Sequence, residues 1–522
     1  MSQLLERWNG KVITVEEIVV HYSPDLDVLL AIALIILFGK KVFRGFDGKL
    51  PKVTFVGAGN SVEAKPNVLV LDTGGVFDPE KLLLDHHGIS GSVCTLDIIA
   101  KMIGMENHPK LQLLLKVIRE HDLSGKDVYP VSVQDHAVNA ILSIKTVVDG
   151  FFSRGARRGE LNGATDSQDM FWLLVRLMMA VIKAVMNFDQ FKADGEWRKE
   201  LERTYAVFLW KRHIGSMKNF PATLPFLRII EVMDKELRRK TSGDLTLAGE
   251  TRDSKIFRLL TGQVPLFQQN GQWQAEAALF SVCGIAFGMQ FTGLDFNQRL
   301  STLGECLAQL DSMDFDWIEA CSHFADLNSS LLFGVVNNGR RFLTRVAAIR
   351  SNCISASRAV RYSSNQLNLR AGIVVCFRTY GQIQISVLKN KLLQELLYKI
   401  GLTLRIAECI VQFRSYSLAD IKDVGMNWLV PQWFIAGYED FLTQASLVSN
   451  GTLKNQDAPP TKLTMATILM LIQNVAFFGE VPSHGVIQAI VRDGQEQNGW
   501  PESSKHPQRF SDLRKKHGGD NK

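Results

Sequence analysis

The chain has 522 residues, of which 46% are hydrophobic and 21% charged, a composition typical of folded globular proteins that excludes a disordered or fibrous chain. Its length allows about two to four domains, and its net charge of +6 is mild. Seven cysteines without a CxxC pair predict reduced, buried thiols and a cytoplasmic protein. The longest apolar run, residues 28–39, is too short for a membrane span and predicts a buried helix.

Residues 12–135 alternate short apolar runs with amphipathic stretches. The runs VITVEEIVVHYS, KVTFVGAG, NVLVLDTGG and KLLLDHHG predict strands, whereas DLDVLLAIALIILFGKKVF, TLDIIAKMIGM and PKLQLLLKVIREHD predict helices. Strands that alternate with helices predict an α/β fold with an open, mainly parallel sheet covered on both faces. We assign residues 12–150 to this domain.

The rest of the chain predicts three further regions. A polar loop at 153–169 is followed by a mostly helical stretch, so residues 151–254 form a helical connecting region. A second, smaller α/β domain spans 255–492, with FLTRVAAIRSN, RAGIVVCFRTYG and QIQISVLKN as strands and KLLQELLYKIGLTLRIAECI as a helix. The polar residues 493–522 predict a disordered tail.

The positive charge is concentrated in one segment of the second domain. Residues 327–394 contain no Asp or Glu but ten Arg and Lys residues, including Arg340 and Arg341 in the sequence NNGRR. Such a segment is a candidate surface for a polyanion. The alternative is that these arginines pair with acids elsewhere in the fold.

Acidic and histidine side chains follow several predicted strands of the first domain. Because the carboxyl ends of parallel strands share one edge of a sheet, we expect these side chains to converge there, with one more acid joining from the end of a helix. The set comprises His21, Asp25, Asp27, Asp72, Asp85, His86, His87 and Asp122.

So many acids in one place would repel one another unless cations lay between them. Oxygen ligands mixed with imidazole suit Mn²⁺ and, less specifically, Mg²⁺, Fe²⁺ or Zn²⁺. Two metal ions about 3.5–4 Å apart, bridged by one carboxylate, would activate a water and neutralise a phosphoryl group. The alternative gives each residue a local role: Asp72 caps the TGG turn, Asp78 begins the DP turn, and His86 is a hydrogen-bonded core histidine.

The motifs HYSPDLD, LDTGG, LDHHG and EHD, in this order, resemble motifs I to IV of the DHH phosphoesterase superfamily. That group includes RecJ-type exonucleases, nano-RNA and cyclic-dinucleotide phosphodiesterases, and family II inorganic pyrophosphatases. The stretch LVLDTGGVFDPEKLLLDHHG is most similar to the MYG-type branch of predicted exonucleases. This resemblance covers residues 18–125. A weaker one covers residues 335–410, where GQIQI and a helix with Leu404, Arg405 and Glu408 resemble the DHHA1-like C-terminal domain.

The resemblance implies a role for each residue of the set and a cofactor of two divalent metal ions, Mn²⁺ or Mg²⁺. The implied ligands are His21 and Asp25 for one ion, Asp27, His86 and Asp122 for the other, and Asp72 as the bridge. Asp85 would orient a ligand. His87 would face the substrate phosphate as donor or general acid, or alternatively serve as a structural histidine.

Three features leave alternatives open. The motif IV acid follows Asp85 by 37 positions, and Asp127, Asp135 and Asp149 are the other acids that could take the place of Asp122. His121 has no role in the family and is expected to pack at its helix end. The GGGH-type substrate motif of many C-terminal domains is absent, and NNGRR is the nearest basic loop.

The resulting hypothesis is a metal-dependent phosphodiesterase that hydrolyses RNA, short oligonucleotides or nucleotides with a water activated by two metal ions. Arg340 and Arg341 would bind the substrate. The predicted partners are a nucleic acid or nucleotide and no membrane, and a homo-oligomer is compatible with the sequence. Two alternatives are a small-substrate hydrolase, acting on pyrophosphate or a cyclic dinucleotide, and a regulatory RNA-binding protein with little catalysis.

Overall fold

A computed structural model of the chain separates into two compact units, Met1–Asp314 and Phe315–Lys522. Each unit is a mixture of helices and strands, which confirms the predicted α/β class. The residues that the structure describes are 12–46, 48, 50–57, 60–88, 93–124, 143–157, 168–193, 204, 207, 268–269, 272–273, 275–299, 301–307, 331–336, 340–350, 357, 360, 371–377, 383–387, 390–413, 433–437, 445–450 and 461–496.

The first unit contains short strands and longer helices. Its strands are β1 (Ile13–Thr14), β2 (Glu17–His21), β3 (Phe43–Arg44), β4 (Lys52–Val56), β5 (Val68–Leu71), β6 (Phe77–Asp78), β7 (Leu83–Leu84), β8 (Gln268–Gln269) and β9 (Gln272–Trp273). Its helices are α1 (Leu26–Phe38), α2 (Thr95–Met102), α3 (Gln112–Ser124), α4 (Ile144–Arg157), α5 (Gln168–Met186), α6 (Phe188–Ala193), α7 (Ala275–Leu279) and α8 (Val282–Met289). Single 3₁₀ turns occupy Pro79–Lys81, His86–Gly88 and Pro109–Leu111.

Five strands form one sheet in the order β4-β2-β5-β7-β6. The pairs β2–β4, β2–β5 and β5–β7 are parallel, and only the edge pair β6–β7 is antiparallel, which confirms the predicted mainly parallel sheet. The register aligns His21 with Val56 and Leu71 with Leu84. The last residues of β2, β5 and β7 therefore lie at the same edge of the sheet.

Helix α1 crosses from that edge into the core. Asp25 caps its first turn, since its carboxylate accepts hydrogen bonds from the backbone N–H groups of Asp27 and Val28. Every residue from Leu26 to Ile35 is buried, because the sequence is apolar around the whole helix and leaves no polar face for solvent. The predicted buried helix is confirmed. Among the described residues, no helix combines the length and apolarity needed to cross a membrane.

Helices α5 and α8 complete the core of the first unit. They cross closely: a Cβ atom at Gly288 would lie 1.8 Å from the carbonyl oxygen of Ala180, so glycine is required there. Buried residues of α8, such as Ile285 and Phe287, belong to the same apolar cluster as α1 and α5. Residues 275–289 thus pack with the first unit, which corrects the prediction that they belong to the domain 255–492. Their glycine-rich apolar sequence gave no indication of which core they join.

The second unit is built on a mixed sheet of six strands. These are β10 (Leu331–Val336), β11 (Arg340–Arg350), β12 (Ala371–Phe377), β13 (Ile383–Val387), β14 (Phe434–Gly437) and β15 (Ala445–Ser449), in the order β10-β11-β12-β13-β15-β14. Only β11–β12 is a parallel pair. The described part of this unit also contains the helices α9 (Lys391–Phe413), α10 (Met465–Phe478) and α11 (His484–Glu496). The predicted strands and the long amphipathic helix of this region are present.

Glu408 on α9 is fully buried and joins three chain segments. Its carboxylate accepts hydrogen bonds from the indole N–H of Trp433 at 3.1 Å, from the hydroxyl of Thr461, and from the backbone N–H of Lys462 at 2.9 Å. Arg405, one turn earlier, donates to the carbonyl oxygen of Trp433 at 2.8 Å. These contacts give two residues of the DHHA1-like resemblance a structural role, because a buried carboxylate must have its hydrogen bonds satisfied.

Several predictions concern segments that the structure describes only in part. Helix α11 continues to Glu496, so the predicted tail cannot begin at residue 493; residues 497–522 lie outside the described residues. Much of the predicted helical connecting region 151–254 also lies outside them, apart from the end of α4 and the helices α5 and α6. The five described cysteines are free and buried, as predicted, and are Cys94, Cys283, Cys306, Cys376 and Cys409.

Candidate metal centre

The ends of three parallel strands carry the first residues of the site. His21 is the last residue of β2, Asp72 follows β5 directly, and Asp85 follows β7 directly. All three side chains are at least nine-tenths buried. Such burial is unusual for the carboxylates of Asp72 and Asp85, which require partners there. This is the sheet edge at which the sequence predicts convergence.

His21, Asp25 and Asp72 form the first group, called here the His21 triad; each offers a ligand atom, and these atoms lie within 4.8 Å of one another. The Nδ1 atom of His21 lies 2.7 Å from the carbonyl oxygen of Tyr22. Since a carbonyl only accepts, Nδ1 carries a proton, which leaves Nε2 as the nitrogen that can act as a ligand. That Nε2 atom lies 3.2 Å from Oδ2 of Asp72, so two potential ligand atoms face each other.

Asp27, His86 and Asp122 form the second group, the His86 triad, again with ligand atoms within 4.8 Å of one another. Oδ2 of Asp122 lies 3.2 Å from Nε2 of His86, and Oδ2 of Asp27 lies 3.9 Å from Nδ1 of the same ring. Asp122 reaches the site from the last turn of α3. His86 occupies the 3₁₀ turn that follows β7.

Asp72 connects the two triads. Its Oδ2 atom faces His21, whereas its Oδ1 atom lies 3.1 Å from Nδ1 of His86. The backbone at Asp72 has a φ of 52°, a left-handed conformation that few residues other than glycine adopt. This turn directs the carboxylate between the two histidines, which explains why a strained residue follows β5.

Asp85 and His87 form the outer part of the site. Asp85 accepts hydrogen bonds from the backbone N–H groups of Gly75 and His87 at 2.7 and 3.0 Å. Its Oδ1 atom also lies 2.9 Å from Nδ1 of His87. The His87 side chain is 67% exposed and stacks on His86, with ring centroids 4.1 Å apart. Asp85 therefore fixes an exposed imidazole over the buried site.

Burial and mutual repulsion change the acid–base properties of the buried residues. Burial, together with the nearby carboxylates of Asp122 and Asp72, raises the pKa of Asp27 well above its ordinary value. Burial alone would lower the pKa of His86, but Asp72, Asp122 and Asp27 outweigh it and raise that pKa to about 9. The site thus concentrates negative charge that attracts a cation.

In the outer pair, Asp85 and His87, the pKa of the carboxylate is lowered, whereas that of the buried Asp27 is raised. Burial of Asp85 favours its neutral form, but the hydrogen bonds from His87 and from the backbone of Gly75 outweigh it and lower the pKa of Asp85. The hydrogen bond to Asp85 raises the pKa of His87, against the effect of burial. Asp85 is therefore ionised at neutral pH and favours a protonated His87.

The donor set and its spacing fit a metal ion. Ligand atoms about 2.1 Å from one ion, at right angles to each other, lie about 3 Å apart. The observed separations of 3.2 Å from His21 to Asp72 and from His86 to Asp122 have this size. Among the described residues, a third group of potential ligands overlaps the two triads and contains Asp72, Asp85, His86 and His87. The buried Asp/His group can therefore hold a metal ion.

The structure also decides between some of the alternatives for the site residues. It brings together all eight residues of the predicted set. Asp149, an alternative to Asp122, instead pairs with Lys145 on α4 at 2.5 Å. Asp78 begins the turn at Pro79, as the alternative expects, and its carboxylate pairs with Lys81 at 2.8 Å.

Other predictions fall on parts that the structure leaves out. Asp127 and Asp135 lie outside the described residues. The backbone of Arg340 and Arg341 begins strand β11, but their side chains also lie outside the description. Their role in substrate binding stays a prediction.

Sequence reasoning missed the support behind the His86 triad. The backbone N–H groups of Thr95 and Leu96, at the start of α2, each donate to Asp27 at 2.8 Å. Asp97 accepts two hydrogen bonds of 2.6 Å from the guanidinium of Arg119. The sequence CTLD before an apolar run resembles a capping box and could have indicated the start of α2; the contact to Asp27 could not be read from it.

No protein-family model and no curated protein matches the chain. The fold and the site define an α/β protein with a buried Asp/His centre that can hold a metal ion.

Proposed function

We propose that the chain is a metal-dependent phosphoesterase of the DHH superfamily that hydrolyses RNA, short oligonucleotides or nucleotides. The observation that carries the proposal is the arrangement of the two triads, which meet at Asp72. Two ion sites that share one carboxylate are the arrangement used for phosphoryl-transfer chemistry. The order of the motifs along the chain supports the same class.

In this proposal the His21 triad and the His86 triad each hold one divalent ion, with Asp72 as shared ligand. Mn²⁺ is the preferred ion and Mg²⁺ the alternative, because the donors are carboxylate oxygens and imidazole nitrogens. When bound, the ions supply Lewis acidity that lowers the pKa of a water and neutralises charge on the phosphate. The carbonyl of Tyr22 holds His21 in the tautomer whose Nε2 atom can act as a ligand.

His87 is the exposed residue of the set and acts on the substrate. Its ring stacks on His86 and is fixed through Nδ1 by Asp85, which leaves Nε2 available for a phosphate oxygen. The raised pKa of His87 keeps the ring protonated over a wider pH range, so it can donate a proton to a phosphate oxygen or to the leaving oxygen. Asp85 acts through His87 as a positioning residue.

The substrate class rests on the sequence. The acid-free segment 327–394 carries ten positive charges, which favours a polyanion such as RNA or a short oligonucleotide. A hydrolase of pyrophosphate or cyclic dinucleotides would use the same centre without needing this segment. Cytoplasmic localisation and a nucleic-acid or nucleotide partner belong to the same proposal.

The test is Mn²⁺-dependent hydrolysis of a labelled short RNA by the full chain, with Asp72→Asn as the site variant. Asp78→Asn is the matched control, because Asp78 lies six residues away and pairs with Lys81 outside the triads. We expect wild type and Asp78→Asn to cleave the RNA and to lose activity with a chelator. Asp72→Asn should lose at least about 10³-fold, since it removes a ligand shared by both ion sites.

Other outcomes have distinct meanings. Hydrolysis of pyrophosphate or a cyclic dinucleotide without RNA cleavage would retain the centre and change the substrate. Wild-type protein that binds Mn²⁺ yet hydrolyses none of these phosphates would overturn the proposed activity.

A further inference from the structure

The start of helix α2 contacts two residues of the His86 triad, Asp27 and His86. We propose that the segment Cys94–Asp97, together with Arg119, is a positioning device that sets the affinity of the His86 triad for its ion and leaves the His21 triad unaffected. The inference deepens the proposed function, since it assigns separate support to one of the two proposed ion sites. Four observations lead to it.

The first contact fixes Asp27. Its Oδ2 atom accepts the N–H of Thr95 and its Oδ1 atom accepts the N–H of Leu96, both at 2.8 Å. These two N–H groups belong to the first turn of α2, where backbone donors have no partner within the helix. A carboxylate has about four lone-pair sites, so these two hydrogen bonds leave others for a metal ion. The helix therefore orients Asp27 without occupying its ligand positions.

The second contact concerns the ring of His86. The hydroxyl of Thr95 lies 3.3 Å from Nδ1 of His86, the nitrogen that also faces Oδ1 of Asp72 at 3.1 Å. Thr95 is completely buried. The ring is thus held on its Nδ1 side, and Nε2 is directed towards Asp122. A single residue, Thr95, contacts two members of the triad.

The third contact fixes the helix that carries Asp122. Asp97, in the first turn of α2, accepts hydrogen bonds from Nε and Nη2 of Arg119, both at 2.6 Å. Such a bidentate pair defines orientation as well as distance. Arg119 and Asp122 are three residues apart on α3 and so lie on the same face. The ion pair consequently sets the position of α3, and with it the reach of Asp122 to His86.

The fourth observation is that the His21 triad has different support. His21 is held by the carbonyl of Tyr22, and Asp25 by the backbone N–H groups of Asp27 and Val28 in its own helix. The segment Cys94–Asp97 instead donates hydrogen bonds to Asp27 and approaches His86. The two triads can therefore respond differently to one substitution.

The experiment measures Mn²⁺ binding to the chelator-treated full chain, by calorimetry and by the electron paramagnetic resonance signal of free Mn²⁺. Arg119→Lys keeps the charge but cannot form the bidentate pair, and Thr95→Val removes only the hydroxyl. Lys145→Met is the matched control, because it breaks a comparable ion pair, with Asp149 on α4, away from the site. Thermal unfolding of each variant reports whether the fold is retained.

We expect two Mn²⁺ ions per wild-type chain and per Lys145→Met chain. In Arg119→Lys and in Thr95→Val the affinity of one ion should fall by about 10–100-fold, as for other residues that support metal ligands, while the other stays unchanged. Hydrolysis, where present, should recover its wild-type maximal rate at raised Mn²⁺ concentration. A purely structural defect would instead lower the maximal rate and the melting temperature together.

The inference is overturned if both affinities fall equally, if neither changes, or if wild type binds fewer than two ions. The proposed function fails in a different way. Two Mn²⁺ ions bound by wild type, with the selective loss in both variants but no phosphate hydrolysis, would reject the activity and support the positioning role.

Discussion

The pKa of His86 in the metal-free protein depends chiefly on Asp72, and Asp72→Asn tests this dependence. At 3.1 Å the attraction between the two side chains is about 5 kcal/mol at an effective dielectric constant of about 20. Part of this is offset by burial, and the resulting rise of the pKa from 6.5 to about 9 corresponds to about 3 kcal/mol. The substitution should lower the pKa of His86 by about 1–3 units, because Asp122 and Asp27 still contribute.

The direction of the effect on stability follows from the raised pKa. Protonation of His86 stabilises the folded state fully below pH about 6.5, and this contribution is lost as the pH rises through about 9. At pH 7 the lower pKa in Asp72→Asn should remove about 2 kcal/mol of this contribution, and at pH 10 almost nothing. The substitution also removes the repulsion between Asp72 and Asp27, which stabilises the folded state. Because this effect opposes the loss at His86, the pKa of His86 is a more direct measurement than the free energy of unfolding.

The assay is a histidine titration by NMR spectroscopy on chelator-treated protein, with chemical unfolding at pH 7 and pH 10. Asp78→Asn serves as the control and should leave the His86 titration unchanged, because Asp78 pairs with Lys81. If His86 in Asp72→Asn still titrates near 9, the carboxylate of Asp72 is not the main cause of the raised pKa. The geometry of the connection between the triads would then have been misinterpreted.

Three further predictions concern separate parts of the chain. His87→Ala should lower the rate of phosphate hydrolysis by about 10²-fold with unchanged Mn²⁺ affinity, and a weakened Mn²⁺ affinity in calorimetry would contradict this. Leu29→Ala, at a fully buried position of helix α1, should lower the free energy of unfolding by about 2–5 kcal/mol in denaturant titrations; a loss below about 1 kcal/mol would mean that the core is loosely packed. Arg340→Ala and Arg341→Ala should each weaken oligonucleotide binding uniformly across sequences. Each should also reduce the slope of the logarithm of the binding constant against the logarithm of the salt concentration by about one. Unchanged binding curves would exclude both residues from the substrate surface.

The parallel sheet and the position of the site could be predicted from the sequence because both depend on local patterns. Apolar runs such as Val68–Leu71 end in an acid, and parallel strands place those acids at one edge. Asp122 could also be proposed, although Asp127, Asp135 and Asp149 were alternatives. The short strand β7 could not be predicted at its true length, because the residues after Leu84 turn into the site.

The support behind the ligands could not be predicted, because it depends on contacts between distant parts of the chain. Thr95 reaches Asp27 across 68 positions, and Arg119 reaches Asp97 from a different helix. Hydrophobic periodicity predicts which face of a helix is buried, but it does not predict which N–H group donates a hydrogen bond to which carboxylate. The prediction that placed α8 in the second domain was wrong for the same reason, since its close crossing with α5 depends on shape.

The left-handed backbone at Asp72 has a consequence for asparagine at this position. Asparagine tolerates this conformation at least as well as aspartate, so a single amino-acid replacement could retain the turn after β5 while removing the shared charge. A chain with Asn at position 72 beside intact His21 and His86 should therefore keep this turn of the fold while the two triads no longer share a negative charge.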